Sequence, residues 1–213
     1  MWRQTRYDRG MSKEGKGRRD SILDEATRLF AERGYEGASM ADLAERVGLR
    51  KASLFHHFAS KEDLRTAVLD RLLNEVSTAI ALATAADGSF EERLDALSSA
   101  VTKVLSEQPY AARLLVREAM EWAPDATNPT AVAVASVLEA SERFIRAGQE
   151  AGVFQQVDPQ QVMITSMGLH IMPFALAGVV ERFTKLRPFE PEFLEVRGAA
   201  VRAHVRSLLL KKP

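Results

Sequence analysis

Residues 39–61, SMADLAERVGLRKASLFHHFASK, decide how this chain is read. Ser39, with Asp42 three positions later, has the pattern of a capping box. Leu43, Ala44 and Val47 follow at helical spacing, and Gly48 interrupts the run. A second short helix is expected from about Lys51 to Phe58. Two short helices joined at a glycine turn give helix-turn-helix geometry. Leu43, Ala44, Val47 and Leu49 would pin the two together, while Leu54 and Phe58, four apart, point inward. That leaves Arg50, Lys51, Ser53, Phe55, His56 and His57 on or near the outside. A helix presenting Arg, Lys, Ser and His, with almost no acid nearby, suits the major groove of a duplex. His56 and His57 are adjacent, so on a helix they point about 100° apart and chelate poorly; no metal is expected there.

Outward from this core, nearly every periodic segment reads as helix. Ile22, Leu23, Ala26, Leu29 and Phe30 recur at helical spacing, and Gly34 ends that helix. Ser60 with Asp63 opens a helix running toward Ala86, and Ser89 with Glu92 opens another to about Ser106. Pro109 takes a first-turn place in a helix to about Trp122. Residues 124–129 form a loop, and a long helix spans roughly Thr130 to Ala151, closed by Gly152. Asp158-Pro159, with Gln161 at the third position as in a capping box, begins a helix, and the last runs from about Pro191 to Leu210. The expectation is an all-α chain of about nine helices. Residues 1–17 would be a flexible basic arm, 18–64 a three-helix DNA-binding domain, and 65–213 an effector-binding and dimerisation domain. The arm carries Arg3, Arg6, Arg9, Lys13, Lys16 and glycines that oppose a stable helix, and Met11 is a second candidate start.

The run from Arg19 to about Leu69 resembles the DNA-binding domain of the TetR (tetracycline-repressor-like) family. The matching features are LFAERGYEGAS, ADLAERVGL, LFHHF and SKEDL, in that order. The resemblance implies that Ser39 caps the second helix and offers its hydroxyl or N–H to a phosphate. It implies that Lys51, Ala52 and Ser53 open the recognition helix toward base edges. His56 and His57 would then lie along the groove wall, and Lys61 would reach a phosphate. Three positions depart from the family pattern. Arg50 stands where a small capping residue is usual, Ala52 replaces a frequent glycine, and Phe55 replaces a frequent tyrosine. The first puts that helix's cap in question; the third removes a hydroxyl that could bind phosphate.

Val162 to Val180, VMITSMGLHIMPFALAGVV, carries no formal charge apart from any proton on His170. A helix apolar on every side must be covered on every side, and a subunit interface provides that. Interrupted by Thr165, Ser166, His170 and Pro173, it is not expected to cross a membrane. Gly168 and Gly178 would permit close approach, and Pro173 should bend the helix. With Phe174, and with Val201 and Val205 on the last helix, these residues are the expected homodimer interface, built as a four-helix bundle. Two-fold symmetry then predicts a palindromic operator. A small, largely apolar effector would enter the body, with Arg117, Glu118, Trp122, Phe144, Met167 and His170 as candidate contacts and Met120 and Met163 nearby. Side chains of these types are also ordinary core.

Composition bounds the function. The 213 residues include no cysteine, which excludes disulfides and Cys-based zinc sites and fits a reducing cytoplasm. Net charge is zero, yet residues 1–65 hold 14 Lys/Arg against 11 Asp/Glu, and the remainder 15 against 18. A mildly basic head suggests a polyanion partner. No Gly-rich phosphate loop, HExxH or G-x-S-x-G occurs, so no catalytic residue, no metal and no cofactor is expected. The function expected is a DNA-binding transcriptional repressor, released from a palindromic operator in double-stranded DNA by a small, largely apolar effector. The alternative is a helix-turn-helix protein without DNA binding that acts as a ligand- or protein-binding module. Repression and activation both fit, because the sign depends on where the operator lies.

Overall fold

A computed structural model describes residues 17–120 and 129–211. These form ten helices: α1 (Arg18–Gly37), α2 (Met40–Arg46), α3 (Lys51–His57), α4 (Lys61–Ala85), α5 (Phe90–Glu107), α6 (Ala111–Met120), α7 (Pro129–Glu150), α8 (Pro159–Ala175), α9 (Ala177–Thr184) and α10 (Pro191–Leu209). The only extended pairing among the described residues is an isolated bridge between Phe154 and Leu210. The expected arm, apart from Gly17, and the loop at residues 124–128 lie outside the described residues, as does Trp122. The chain divides into two compact units between Val68 and Leu69, inside α4, where the sequence carries no turn signal.

In the first unit, α1 buries Ile22, Leu23, Ala26, Leu29 and Phe30 along one face. Gly34 adopts φ 73°, ψ 172°, a backbone that side chains resist, and kinks α1 there. The helix thus loses its α geometry where the sequence suggests, although a further turn continues to Gly37. Ser39 caps α2 by accepting the Asp42 N–H at 3.0 Å. The reciprocal half of the box is not made, because the Asp42 carboxylate pairs with Arg33 at 2.8 Å. Gly48 has φ 66°, and the Leu49 N–H reaches back to the Ala44 carbonyl at 2.8 Å to close the turn. Leu43, Leu54, Phe58 and Leu64 are almost fully buried, so α2, α3 and the start of α4 share one apolar centre. Across its rim Arg46 pairs with Glu25 at 2.9 Å and Glu32 at 3.3 Å, tying α2 to α1.

The second unit is organised around Phe154, whose ring meets Phe90 at 5.6 Å and Phe144 at 5.7 Å, edge-on in both cases. Gly148 permits this: a Cβ there would stand 2.2 Å from the Phe154 ring. Leu94, Ile145, Val162, Val201, Val205 and Leu209 complete that core, and Leu105, Ala112, Phe174 and Phe193 form a second. Ser89 and Glu92 make both halves of a capping box on α5. Arg206 on α10 grips Asp95 on α5 through two bonds of 2.8 and 2.7 Å.

Three expectations change. The uncharged run at residues 162–180 is two helices, not one bent helix, and this raises the count from about nine to ten. Pro173 has no N–H to give the Leu169 carbonyl, which accepts from Arg197 Nη2 on α10 instead. The chain leaves α geometry at Leu176, and α9 departs at 82° to α8. Pro109 precedes its helix and does not open it, since the Ala111 N–H bonds the Gln108 carbonyl in a turn. Asp158 caps α8 through the Gln160 N–H at 2.8 Å, not through position 161. Among the described residues no single helix is long and apolar enough to cross a membrane; only the bent α8–α9 pair passes by length and composition together.

Candidate nucleic-acid interface

The α3 surface is built by subtraction. Leu54 and Phe58 occupy the core, and the α3 residues between and before them face outward. Arg50, Lys51, Ala52, His56 and His57 are exposed, Ser53 is half-buried, and Phe55 is 40% exposed. No acid occurs between Arg46 and Lys61, so no carboxylate in this stretch offsets that surface. Arg50 is the N-cap of α3 in extended backbone and makes no side-chain cap bond. Its guanidinium is therefore not consumed in ending the helix. Lys51 Nζ lies 5.9 Å from the Phe55 ring centroid, which places the aromatic under the cation on the outer face. Ser39 is exposed at the start of α2, its hydroxyl oxygen accepting from Asp42.

Lys61 is held in a way the sequence does not announce. Its Nζ sits 4.2 Å from the centroid of the Tyr35 ring, and Arg65 Cζ sits 4.9 Å from the same centroid. Burial, then the nearby Glu62 carboxylate, push the Tyr35 phenol up to about 12, so its hydroxyl stays protonated. Tyr35 and Arg65 are the residues sequence reasoning missed. The available signal was the Lys61–Arg65 spacing of four on a helix together with the tyrosine after Gly34.

In the second unit, the expected effector contacts differ in exposure. Phe144 is committed to the aromatic core, Met167 is exposed, and Glu118 and His170 are buried. Arg117 is half-buried. His170 Nδ1 donates to the Ser166 carbonyl at 2.8 Å, while Nε2 is enclosed without a hydrogen bond. Burial holds the His170 imidazole below its ordinary value; the Ser166 and Ser98 backbones oppose this and the Arg197 charge adds to it. An open groove of about 770 Å³ lies between α4 and α5 and is lined by Arg71, Glu75, Ala79, Ala83, Ala100 and Lys103 among others. None of the expected contacts lines it.

The expected interface residues also divide. Gly168 and Gly178 are exposed, and nothing lies within 4 Å of a Cβ placed on Gly168. Pro173 is half-buried. Phe174, Val201 and Val205 are 2%, 1% and 4% exposed, so they fill this chain's own core and have no surface to offer a second copy. The uncovered apolar surface instead comes from Ile164 and Met172 on α8, Leu176, Val179 and Phe183 at α9, and Val196 on α10. Phe183, 88% exposed, lies just beyond the uncharged run that drew attention in the sequence.

Comparison with known proteins follows these divisions. Residues 22–68 match the family described as bacterial regulatory proteins, tetR family. Residues 91–205 match the tetracyclin repressor-like C-terminal domain. The chain is 42% identical over 81 residues to the HTH-type transcriptional repressor AcnR of Corynebacterium diphtheriae, covering 38% of this chain and 40% of AcnR. The chain therefore spans well under half the length of that relative. Among solved structures it is similar to the TetR family transcriptional regulator PfmR of Thermus thermophilus, with TM-score 0.73 and 26% identity over 93% of this chain and 100% of that one. The ketosteroid transcriptional regulator KstR2 of Mycobacterium tuberculosis shares the fold at TM-score 0.75 and 22% identity, over 92% of this chain and 97% of that one. With its amino-terminal helices and more than half its length matched to the two domains, this chain belongs to the TetR family of bacterial regulatory proteins.

Proposed function

We propose that this chain is a transcriptional repressor that binds a palindromic operator as a homodimer and is released by a small, largely apolar effector. The observation that carries the reading is the exposed, acid-free α3 surface of Arg50, Lys51, Ala52, Ser53, Phe55, His56 and His57. Phosphate contacts from Ser39, Lys61 and neighbouring cations would supply most of the affinity, and α3 would read base edges. The apolar surface of α8, α9 and α10 is the proposed homodimer contact. Fully exposed, a Phe side chain costs about 2–3 kcal/mol relative to burial, which a second copy would recover. Gly168, Gly178 and the half-buried Pro173 lie on these same helices. We place the effector in the second unit, at the α4–α5 groove or against Arg117, Glu118 and His170. Its binding would favour a dimer whose α3 helices no longer match the half-site spacing. The protein so read works in the cytoplasm, with neither membrane attachment nor catalytic turnover.

Selection of bound duplexes from a random DNA pool tests the reading. The expected product is an inverted repeat, bound more weakly as salt rises. A pool that never enriches at low salt would favour the ligand- or protein-binding alternative.

A further inference from the structure

We infer that Tyr35 is a positioning residue that gathers Lys61 and Arg65 into a two-cation clamp for one backbone phosphate of the bound DNA. The inference rests on the DNA-binding reading and adds two residues to it.

The geometry begins at Gly34. Its positive φ kinks α1, and Tyr35 follows directly, packed against Phe30 with centroids 6.0 Å apart. From α4, Lys61 Nζ and Arg65 Cζ come to 4.2 and 4.9 Å from the same Tyr35 centroid. Both distances are within the range where a ring's negative face attracts a cation. Two cations four apart on a helix otherwise repel one another. The ring holds them together, and an anion between them would remove the repulsion. Glu62 stands near the Tyr35 hydroxyl, its carboxylate offsetting part of the cationic charge. Glu62 also approaches Arg65 at 3.5 Å, a long and exposed pair with the glutamate side chain 60% exposed. Such a pair is weak, and a phosphate displaces it readily. The cluster belongs to the same compact unit as α3, and α4 begins shortly after α3 ends.

The test is the salt dependence of DNA binding by the full chain, measured on the selected duplex for wild type, Arg65→Gln, Tyr35→Leu and Tyr35→Phe. Each lost phosphate contact makes the slope of log K against log salt shallower by about 0.9. Arg65→Gln is expected to lose about 0.9 of slope, and Tyr35→Leu one to two times that, about 0.9–1.8. Tyr35→Phe keeps the ring and is expected to match wild type. The clamp is overturned if Arg65→Gln keeps the wild-type slope, or if Tyr35→Phe loses as much as Tyr35→Leu. Should Tyr35→Leu fail to fold by circular dichroism, Arg65→Gln and Tyr35→Phe decide the matter. A wild-type chain with no salt-dependent DNA binding would bring down the parent reading and the clamp with it. Wild-type binding with an unmoved Arg65→Gln slope would bring down the clamp alone.

Discussion

The α3 surface and the α8–α9 surface are both left uncovered by their own chain, and for opposite physical reasons. On α3 the exposed groups are Arg50, Lys51, His56 and His57, which water solvates well. On α8 and α9 they are Ile164, Met172, Leu176, Val179 and Phe183, which water does not. Leaving the first surface bare costs little, so its partner must be attracted by charge and will be sensitive to salt. Leaving the second bare costs about 25 cal/mol for each Å² of apolar area, so its partner is favoured by burial and will be nearly indifferent to salt. One chain therefore carries two association chemistries that can be broken separately.

The largest expected effect is on the apolar surface. Phe183→Asp combined with Val179→Asp should convert the proposed dimer to monomer, with a dissociation constant raised at least ~100-fold. Sedimentation velocity reads this directly, and an unchanged dimer would remove α9 from the interface. Next comes the aromatic core of the second unit. Gly148→Ala forces a Cβ to 2.2 Å from the Phe154 ring, so the pair must separate. A loss of about 1–3 kcal/mol in unfolding free energy is expected by thermal or denaturant melting. Full stability in Gly148→Ala would show that the aromatic core yields more freely than its close packing implies.

On the polar side, Lys61→Ala should weaken DNA binding and make the salt slope shallower by about 0.9 while the oligomeric state is unchanged. Fluorescence anisotropy on a labelled duplex across a salt series checks it. Equal loss at every salt concentration would point to packing in place of phosphate contact.

The smallest effect concerns His170. Because burial lowers its proton affinity in the folded chain, the unfolded chain binds the proton first as pH falls. Stability from this group is therefore present above the ordinary value of 6.5 and declines as pH drops below it. The groups facing the imidazole are the Ser166 and Ser98 backbones and Arg197. His170→Gln should flatten the pH dependence of the melting temperature in that window. If the wild-type profile is already flat there, His170 is not enclosed as described.

These contrasts also explain which parts were legible in the sequence. The α1–α4 elements could be placed because local chemistry determines them: Ser39 and Ser60 cap, Gly34 and Gly48 turn, and Leu54 and Phe58 sit four apart. The surface of α3 was legible for the same reason, since removing Leu54 and Phe58 from the eight residues 51–58 leaves the rest on or near the outside. The α8–α9 break was not, because a proline inside an apolar run signals a bend without fixing its size. The Leu169 carbonyl that Pro173 leaves without a donor is taken by Arg197, 24 positions beyond that proline, a partner no local pattern announces. Phe174, Val201 and Val205 were misplaced because an apolar residue on a two-sided helix looks the same in sequence whichever side it faces. The Tyr35 cluster was missed because its ring and cations come from separate helices.

The central claim is that the α3 surface meets a polyanion. The most direct test is the binding constant of the wild-type chain for its selected duplex, measured from low to moderate salt. We predict tight binding at low salt and a log–log slope of several units, about 0.9 for each phosphate engaged. No binding at low salt, or binding whose strength does not change with salt, would contradict it.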